Sequence, residues 1–312
     1  MRVVAALGGN AFVKAGEALS VEGEHRFARE ALAALGPFLD PGVELLVAHG
    51  NGPQVGHQLE RAERARGTAY ALSLDVCVAQ TQGELGYVLA QALEALLAER
   101  GLSRAVVAVV TQVEVAPGDD AFRRPMKPVG PVLDPAAAAA LLARGAAVRD
   151  DAGRGVRRVV PSPEPTRVLE EEAVRRLLAS GAIVVAGGGG GIPVVPAEED
   201  AHRGVEAVVD KDLTAALLAD VLDADLLLLL TDVPCAYTDH LGPRQTPIGR
   251  IACSRARSLH AQGHFAPGSM GPKIEAALRF VSGGAGRRAI VCDPPSLARA
   301  LRGEAGTVVV PG

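Results

Sequence analysis

The 312-residue sequence predicts an α/β fold: a three-layer α/β/α sandwich with a mostly parallel central sheet and a protruding subdomain. Three observations predict it. Short apolar segments alternate with longer segments of helical spacing. The short segments are apolar on both faces, which is typical of strands buried in a parallel sheet. One proline-rich stretch interrupts the alternation, and we expect it to leave the main sheet.

The predicted elements follow from these patterns. Segments rich in Val, Ile or Leu predict strands at 3–7, 44–48, 105–111, 183–186, 206–209, 225–230 and 289–292. Helical spacing predicts helices at 25–39, 72–100, 168–180, 211–222 and 273–282. Ligands of such sheets bind beyond the carboxyl ends of the strands, so the loops at those ends are the first candidates for a site.

The interrupting stretch covers about residues 115–165 and carries eight prolines and a series of basic side chains. A short Ala-rich helix is expected at 135–144. One interpretation is a surface excursion without a function of its own. The other is a basic lid over an anionic ligand, which we favour because insertions of this length are more often functional.

Composition excludes several classes of protein. Apolar residues make up 48% and charged residues 22%, so the chain can bury a core and is not disordered. Charge is nearly balanced, 32 basic against 36 acidic residues, and aromatic residues are only 3%, so neither nucleic acid nor a membrane is an expected partner. The four cysteines are scattered without a C-x-x-C pair, and no segment resembles a signal peptide or a membrane span. We therefore expect a cytoplasmic protein.

Four glycine-rich segments lie at predicted strand ends or open a helix. They are 8–11, 49–56, 187–191 and 268–273. Backbone N–H groups at such turns bind anions, and a following helix N-terminus adds to the attraction. A Walker-type phosphate loop is absent, and the loose dinucleotide-binding match at 284–289 follows a helix instead of a strand. The pattern predicts a phosphate site of another kind.

Three lysines lie in predicted strand-end loops or in the insertion, although arginine greatly outnumbers lysine in the chain. They are Lys127, Lys211 and Lys273. Compact ammonium groups suit phosphoryl transfer, which needs positioning and charge neutralisation. The alternative is solvated lysines beside an Asp that caps a helix. His49 is either a ligand or base, or a structural residue, and no His or Cys spacing indicates a metal site.

The motifs resemble the amino acid kinase family, most closely its carbamate branch. The matching segments run in order from residue 5 to residue 281 and include ALGGNA (6–11), HGNGPQVG (49–56), TQVEV (111–115), RPMKPVGP (124–131), GRGVRRVVPSPEP (153–165), GGGGGIPV (187–194), EAVVDKDL (206–213), LLTDV (229–233) and GSMGPK (268–273). The lid motif 153–165, DKDL and GSMGPK together are specific to this branch.

The resemblance implies one domain, 1–312, with three parts. An N-terminal lobe, about 1–205, would bind the phosphoryl acceptor, and a C-terminal lobe, about 206–312, would bind the nucleotide. The lid, about 115–160, belongs to the first lobe. The implied reaction is reversible transfer between ATP and carbamate, giving ADP and carbamoyl phosphate, with Mg²⁺ as cofactor and a homodimer as the assembly.

The resemblance also implies roles for individual residues. The acceptor and the transferring phosphoryl group would be held by Gly8, Gly9, Asn10, Gly50 and Asn51. The catalytic residues would be Lys127, Lys211, Asp212 and Lys273, with Asp212 orienting the lysines. The nucleotide would be bound by Lys211, Gly268, Ser269, Met270, Gly271 and Lys273. No residue is assigned as a direct metal ligand.

Two positions depart from the family pattern. Many members carry a lysine just before the first glycine pair, where this chain has Leu7. The resemblance implies that Lys127 supplies that charge from the lid. Residues 80–85 replace a usual Met-Ser-Gln-Gly-Met-Ile pattern, and Glu84 adds a carboxylate there. The contacts of that helix are therefore left open.

Two other functions are considered. A related amino acid kinase, acting for example on acetylglutamate, would share the sheet and the glycine loops but should lack the lid motif at 153–165. A catalytically silent ligand sensor would keep the fold without the three lysines. The sequence retains both the lid motif and the lysines, which favours the carbamate branch.

Overall fold

The structure is a computed structural model that describes residues 1–8, 12, 19–151, 155–198, 201–240, 242 and 244–312. Its strands are β1 (Arg2–Leu7), β2 (Glu44–His49), β3 (Val106–Ala108), β4 (Gln112–Val115), β5 (Lys127–Val129), β6 (Ala147–Asp150), β7 (Val156–Val160), β8 (Pro165–Val168), β9 (Ile183–Val185), β10 (Ile192–Pro196), β11 (His202–Gly204), β12 (Leu226–Leu230), β13 (Tyr237–Thr238), β14 (Thr246–Pro247), β15 (Arg250–Ala252), β16 (Arg288–Cys292) and β17 (Thr307–Val310). Its helices are α1 (Val21–Ala33), α2 (Gly52–Arg64), α3 (Leu74–Glu99), α4 (Pro135–Ala143), α5 (Glu171–Ala179), α6 (Lys211–Val221), α7 (Cys253–Ala261), α8 (Met270–Ser282) and α9 (Leu297–Leu301).

The central sheet contains eight strands in the order β15-β17-β16-β12-β1-β2-β9-β3. Neighbouring strands of this sheet pair in parallel, except for β16 and β17, which are antiparallel. Because β1, β2 and β9 are adjacent and parallel, the loops that follow them meet at one edge. The predicted mostly parallel sheet is confirmed.

Side chains alternate between two cores on the two faces of this sheet. Val4, Leu46 and Val184 pack on one face with residues of α5, α6 and α8. Val3 and Leu45, one position away, pack on the other face with residues of α1, α3 and α9. Successive strand residues point to opposite faces, so helices on both sides bury inner strands such as β9 and β12, while the edge strands β3 and β15 stay partly exposed. This is the predicted three-layer sandwich.

Some predicted bounds are wrong, for local reasons. Residues 206–209 form no strand: Val208 is buried, but its N–H donates to the single carbonyl of Pro161. Helix α1 ends at Ala33. A short 3₁₀ turn at Gly36–Phe38 follows, with Pro37 in its first positions. Helix α5 starts only at Glu171, because residues 165–168 pair with β4 as β8. Residues 52–56, treated above as part of a glycine loop, are the first turns of α2.

The insertion folds into its own antiparallel sheet, in the order β5-β7-β6, with α4 beside it. This is the structured part of the expected lid. It lies close to α2 through two glycines: a Cβ added to Gly56 would come within 2.6 Å of the Gly130 Cα. A second small sheet has the order β11-β10-β4-β8 and contacts α3 and α6.

Within the described part of the chain, no helix is both long and apolar enough to cross a membrane.

Candidate active site

The first wall of the site lies at the carboxyl ends of β1 and β2. Gly8 follows β1 and is partly exposed, whereas Gly50 and Asn51 follow β2 and are buried. Asn51 is the residue before α2 and donates its amide to the Thr81 hydroxyl of α3 at 2.8 Å. Gly9 and Asn10, assigned above to substrate binding, lie outside the described residues.

The second wall is the glycine run after β9. Four of its residues (Gly187, Gly189, Gly190 and Gly191) have positive φ angles, which side-chain-bearing residues rarely adopt. The run also leaves no room for a Cβ: at Gly188 it would lie 2.4 Å from His49 Nε2, and at Gly189 2.3 Å from Asn51 Nδ2. The backbone of this loop therefore packs directly on the residues that end β2.

Buried polar side chains hold the glycine run in place. Gln82 of α3 donates to the Gly188 carbonyl at 2.9 Å and accepts from the Thr111 N–H at 2.8 Å. The Thr111 hydroxyl accepts from the Gly187 N–H, and the Thr214 hydroxyl of α6 donates to the Gly190 carbonyl. These bonds fix where the backbone amides of the loop point, which is what anion binding requires.

The third wall is the start of α6. Asp210 caps this helix by accepting from the Asp212 N–H at 2.9 Å. Lys211 and Asp212 form the first helical positions, and the Lys211 ammonium lies 2.5 Å from Asp212 Oδ1. A carboxylate here also complements the positive end of the helix dipole.

A second helix start meets this one. Helix α8 packs on α6, and Lys273 in its first turns donates to Asp212 Oδ2 at 2.9 Å. One carboxylate thus holds two ammonium groups, one on each of its oxygens. The Asp212 side chain is only 4% exposed, so the three charges are fixed in a largely water-free place.

The lid supplies a third ammonium group. Lys127 at the start of β5 donates to Asp210 Oδ2 at 2.7 Å, which joins the insertion to the cap of α6. Lys127 is 29% exposed at its side chain, more than the other two lysines. Three ammonium groups therefore bind two carboxylates at the end of the sheet.

The ionisation of the cluster follows from burial and mutual attraction. Burial opposes the charge of Asp212, but Lys211 and Lys273 outweigh it and hold the pKa of Asp212 far below its usual range. Burial also opposes the charge of Lys273, yet the attraction of Asp212, Asp210 and Asp232 raises its pKa above the usual value. For Lys211, burial and the neighbouring Lys273 prevail over Asp212, and its pKa is lowered.

His49 is a structural residue by its environment. It is fully buried at the end of β2, and its Nδ1 lies 3.1 Å from the Gly50 carbonyl oxygen. Burial, together with the nearby Lys211, lowers the pKa of His49 to about 4. The ring is therefore neutral at physiological pH, and its burial favours the structural interpretation of His49.

The structure brings together the four residues predicted to be catalytic: Lys127, Lys211, Asp212 and Lys273. The predicted nucleotide residues before α8 differ in exposure. Gly268 and Ser269 lie on the surface, Met270 is partly exposed and Gly271 is buried. Asp210 both caps α6 and binds Lys127, a contact that the sequence reasoning did not assign. The signal available was its place in Asp-Lys-Asp, with one acid on each side of Lys211.

Among the described residues there is no group of three or more His, Cys, Asp or Glu side chains that could hold a metal ion. The carboxylate oxygens of Asp210 and Asp212 accept from Lys127, Lys211, Lys273 and one backbone amide. These carboxylate oxygens are therefore occupied by ammonium groups and a backbone amide of the protein itself.

The fold defines an α/β protein of the parallel, doubly covered class, with a buried ion-pair cluster at the carboxyl edge of its sheet. Residues 1–293 match the model of the amino acid kinase family. Carbamate kinase 2 of Enterococcus faecalis is 43% identical over 308 residues, covering 98% of this chain and 97% of that protein. The carbamate kinase of Pyrococcus furiosus is 41% identical, covering 99% of each chain. A solved structure of the Giardia lamblia carbamate kinase bound to AMP-PNP superposes with a TM-score of 0.92 at 36% identity, covering 100% of this chain and 98% of that one.

The chain therefore belongs to the amino acid kinase family, in the branch that contains these carbamate kinases. As a member of a kinase family it is a phosphotransferase with a nucleotide substrate.

Proposed function

We propose that this protein is a carbamate kinase, which transfers a phosphoryl group reversibly between ATP and carbamate to give ADP and carbamoyl phosphate. The observation that carries the proposal is the ion-pair cluster at the carboxyl edge of the sheet, where Asp210 and Asp212 hold three lysines from the lid, α6 and α8. The whole-length similarity to carbamate kinases supports the choice of substrate.

The proposed residue roles follow the walls of the site. Lys211 and Lys273 bind the nucleotide phosphates, and Asp212 keeps both ammonium groups in place. The loops containing Gly8, Gly9, Asn10, Gly50 and Asn51 hold the carbamate and the transferring group with backbone amides. Lys127 approaches from the lid, and the turn Gly268–Gly271 before and at the start of α8 contacts the nucleotide.

Transfer is direct and in line between the two bound substrates. Carbamate is already an anion, so its oxygen attacks without a strong general base, and the lowered pKa of His49 makes its ring a weak base. The lysines and backbone amides neutralise the charge that spreads over the equatorial phosphoryl oxygens. The four cysteines of the chain are free and buried, and burial raises the pKa of Cys292 to about 12, which makes it a poor nucleophile.

Mg²⁺ accompanies the nucleotide in this proposal. Magnesium is commonly bound through substrate phosphates and water with only one or two protein carboxylates. The donor set fits this mode, since the described residues offer no carboxylate cage while the lysines are placed for phosphates. Bound in this way, the ion would add positive charge between the phosphate oxygens.

The remaining features are also proposals. We propose a homodimer, which the resemblance to the family supports. We propose a cytoplasmic location, which the free, buried cysteines favour because oxidising compartments promote disulfides.

A coupled assay tests the function. Purified protein is mixed with ADP, carbamoyl phosphate and Mg²⁺, and ATP is recorded with and without each component. The proposal expects ATP only when all are present. A folded protein that forms no ATP here but phosphorylates acetylglutamate would refute it in favour of the related kinase, and one that does neither would indicate the silent sensor.

A further inference from the structure

A second set of buried polar side chains lies between α1 and α2, apart from the lysine cluster. Gln54 in the first turn of α2 donates its amide to Glu24 Oε1 of α1 at 2.8 Å. Glu24 is 2% exposed and Gln54 is 1% exposed. Nothing in the proposed reaction uses either side chain, yet burying a carboxyl group is costly unless it is paired or neutral.

The amide oxygen of Gln54 lacks a hydrogen-bond donor within the described ranges, which indicates that Glu24 carries a proton. Gln54 Oε1 is buried and has no hydrogen-bond donor among the residues that the structure describes. An ionised Glu24 can only accept, so it leaves that oxygen without a donor from the described part of the chain. A protonated Glu24 adds an O–H donor. Because the oxygen and nitrogen of an amide share one carbon, as do the two oxygens of a carboxyl group, the pair can then form two hydrogen bonds at once.

A second glutamate shows which carboxyl group takes the proton. One turn along α2, Gln58 lies 3.4 Å from Glu84 Oε2 of α3, so two glutamines on one helix face meet two glutamates. Glu84 is partly exposed, whereas Glu24 is not. Burial of Glu24 raises its pKa, its bond from Gln54 lowers it, and the charge of Glu84 raises it further. His25 and Arg61 act in the opposite direction without reversing the result.

We propose that Glu24 is a neutral carboxylic acid at neutral pH and acts as a positioning residue, which holds Gln54 through two hydrogen bonds and thereby fixes the start of α2. The two hydrogen bonds satisfy all polar atoms of the contact except the second amide hydrogen. The effect on catalysis rests on the proposed function, because Gly50 and Asn51 directly precede α2. The protonation state of Glu24 does not depend on the proposed function.

The first test observes the proton itself. Infrared difference spectra between the wild-type protein and Glu24→Gln are recorded at neutral pH, where a protonated carboxylic acid has a carbonyl band distinct from the carboxylate bands. We expect the wild-type spectrum to contain one acid band that is lost in the variant. If the difference contains carboxylate bands only, Glu24 is ionised and the proposal is wrong.

The second test uses the pH dependence of unfolding. A raised pKa means that folded Glu24 keeps its proton at pH values where the unfolded chain has lost it. The contribution of Glu24 to the free energy of unfolding is therefore fully present below its ordinary pKa of 4.5. This contribution is lost as pH rises towards the raised pKa of the folded state. Glu24→Gln keeps two hydrogen bonds at every pH, so its stability relative to wild type should increase with pH over this interval.

Glu84→Gln is the matched control for unfolding. It removes the other glutamate of the pair and should retain the decrease in stability with pH, displaced to lower pH. A wild-type protein whose stability relative to Glu24→Gln does not change between pH 4 and pH 8 would overturn the proposal. Neither this test nor the infrared test requires turnover, so a failure of the proposed function leaves both intact.

The third test addresses positioning. Glu24→Ala should lower kcat/KM for carbamoyl phosphate about tenfold, as expected for a lost hydrogen bond, while ADP affinity stays unchanged. Glu24→Gln should restore the wild-type value and flatten the decline in kcat/KM at alkaline pH. Equal losses in both variants, or a loss of ADP affinity in Glu24→Ala, would show that Glu24 does not position the start of α2.

Discussion

The two sides of the site hold their cations in different ways. On the nucleotide side, Lys211 and Lys273 share one buried carboxylate, and both lysines belong to helix starts packed on the central sheet. On the lid side, Lys127 belongs to a separate three-stranded sheet and reaches the cluster through Asp210 at its edge. From this difference we propose that the nucleotide side keeps its arrangement during turnover, whereas the lid side moves with the insertion.

The largest effect is expected from the carboxylate that holds the nucleotide side together. Asp212→Asn leaves two buried ammonium groups without their anion, so it should abolish turnover and reduce the free energy of unfolding by about 3–5 kcal/mol. Urea unfolding and the coupled assay measure both. The control is Asp220→Asn on the same helix, whose side chain is 54% exposed. Comparable stability losses in the two variants would contradict a special role for Asp212.

Lys127→Met tests the lid side. A cation that acts in the closed state should matter most in the transition state, so turnover should fall at least about a hundredfold while ADP affinity stays close to wild type. Arg123→Met, an exposed position of the same insertion, serves as the control. Steady-state rates and ADP titration on one preparation separate the two parameters. Near wild-type turnover of Lys127→Met would defeat the lid mechanism even if the protein is a carbamate kinase.

Lys273→Ala should show the reverse pattern. Loss of one charge-assisted phosphate contact should weaken ADP binding by about 1.5–3 kcal/mol, with a smaller effect on carbamoyl phosphate. Calorimetric titration measures both affinities. Arg279→Ala, two turns further along α8 and partly exposed, should leave both unchanged. Unchanged ADP affinity in Lys273→Ala would remove this lysine from the phosphate site.

The smallest effect concerns how the lid meets the rest of the protein. Gly56→Ala inserts a methyl group where the Gly130 Cα is 2.6 Å away, and overpacking of this kind costs about 1–3 kcal/mol. The backbones must separate, so turnover should fall about tenfold or more while ADP affinity is kept. Gly83→Ala is the control, because a Cβ added to this helical glycine would have no neighbouring atom within 4 Å. Equal turnover in the two variants would show that this contact does not set lid closure.

The sequence predicted the layers well because local patterns determine them. Strands such as β2 and β12 are short apolar runs between glycine and charged residues, and their two-sided burial appears directly in the sequence. The apolar run at 206–209 has the same composition but forms no ladder. Its neighbour is Pro161, which is distant in the sequence, so tertiary packing decides its structure.

The site was predicted only in part, because local patterns identify its lysines and loops but not its long-range contacts. The lysines stood out by their type in a chain rich in arginine, and the motifs identified the loops around them. The second function of Asp210 and the contact of Glu24 with Gln54 depend on segments brought together from far apart in the chain. The sequence analysis assigned no role to Glu24, and only burial and distance reveal these two contacts.

The account rests on one direct transfer between two substrates held on opposite sides of the cluster. The stereochemical course at phosphorus tests it most directly, with carbamoyl phosphate or ATP made chiral at the transferred phosphoryl group by oxygen isotopes. A single in-line displacement predicts inversion of configuration in the product. Retention would require a second displacement through a phosphorylated enzyme, and would contradict the account.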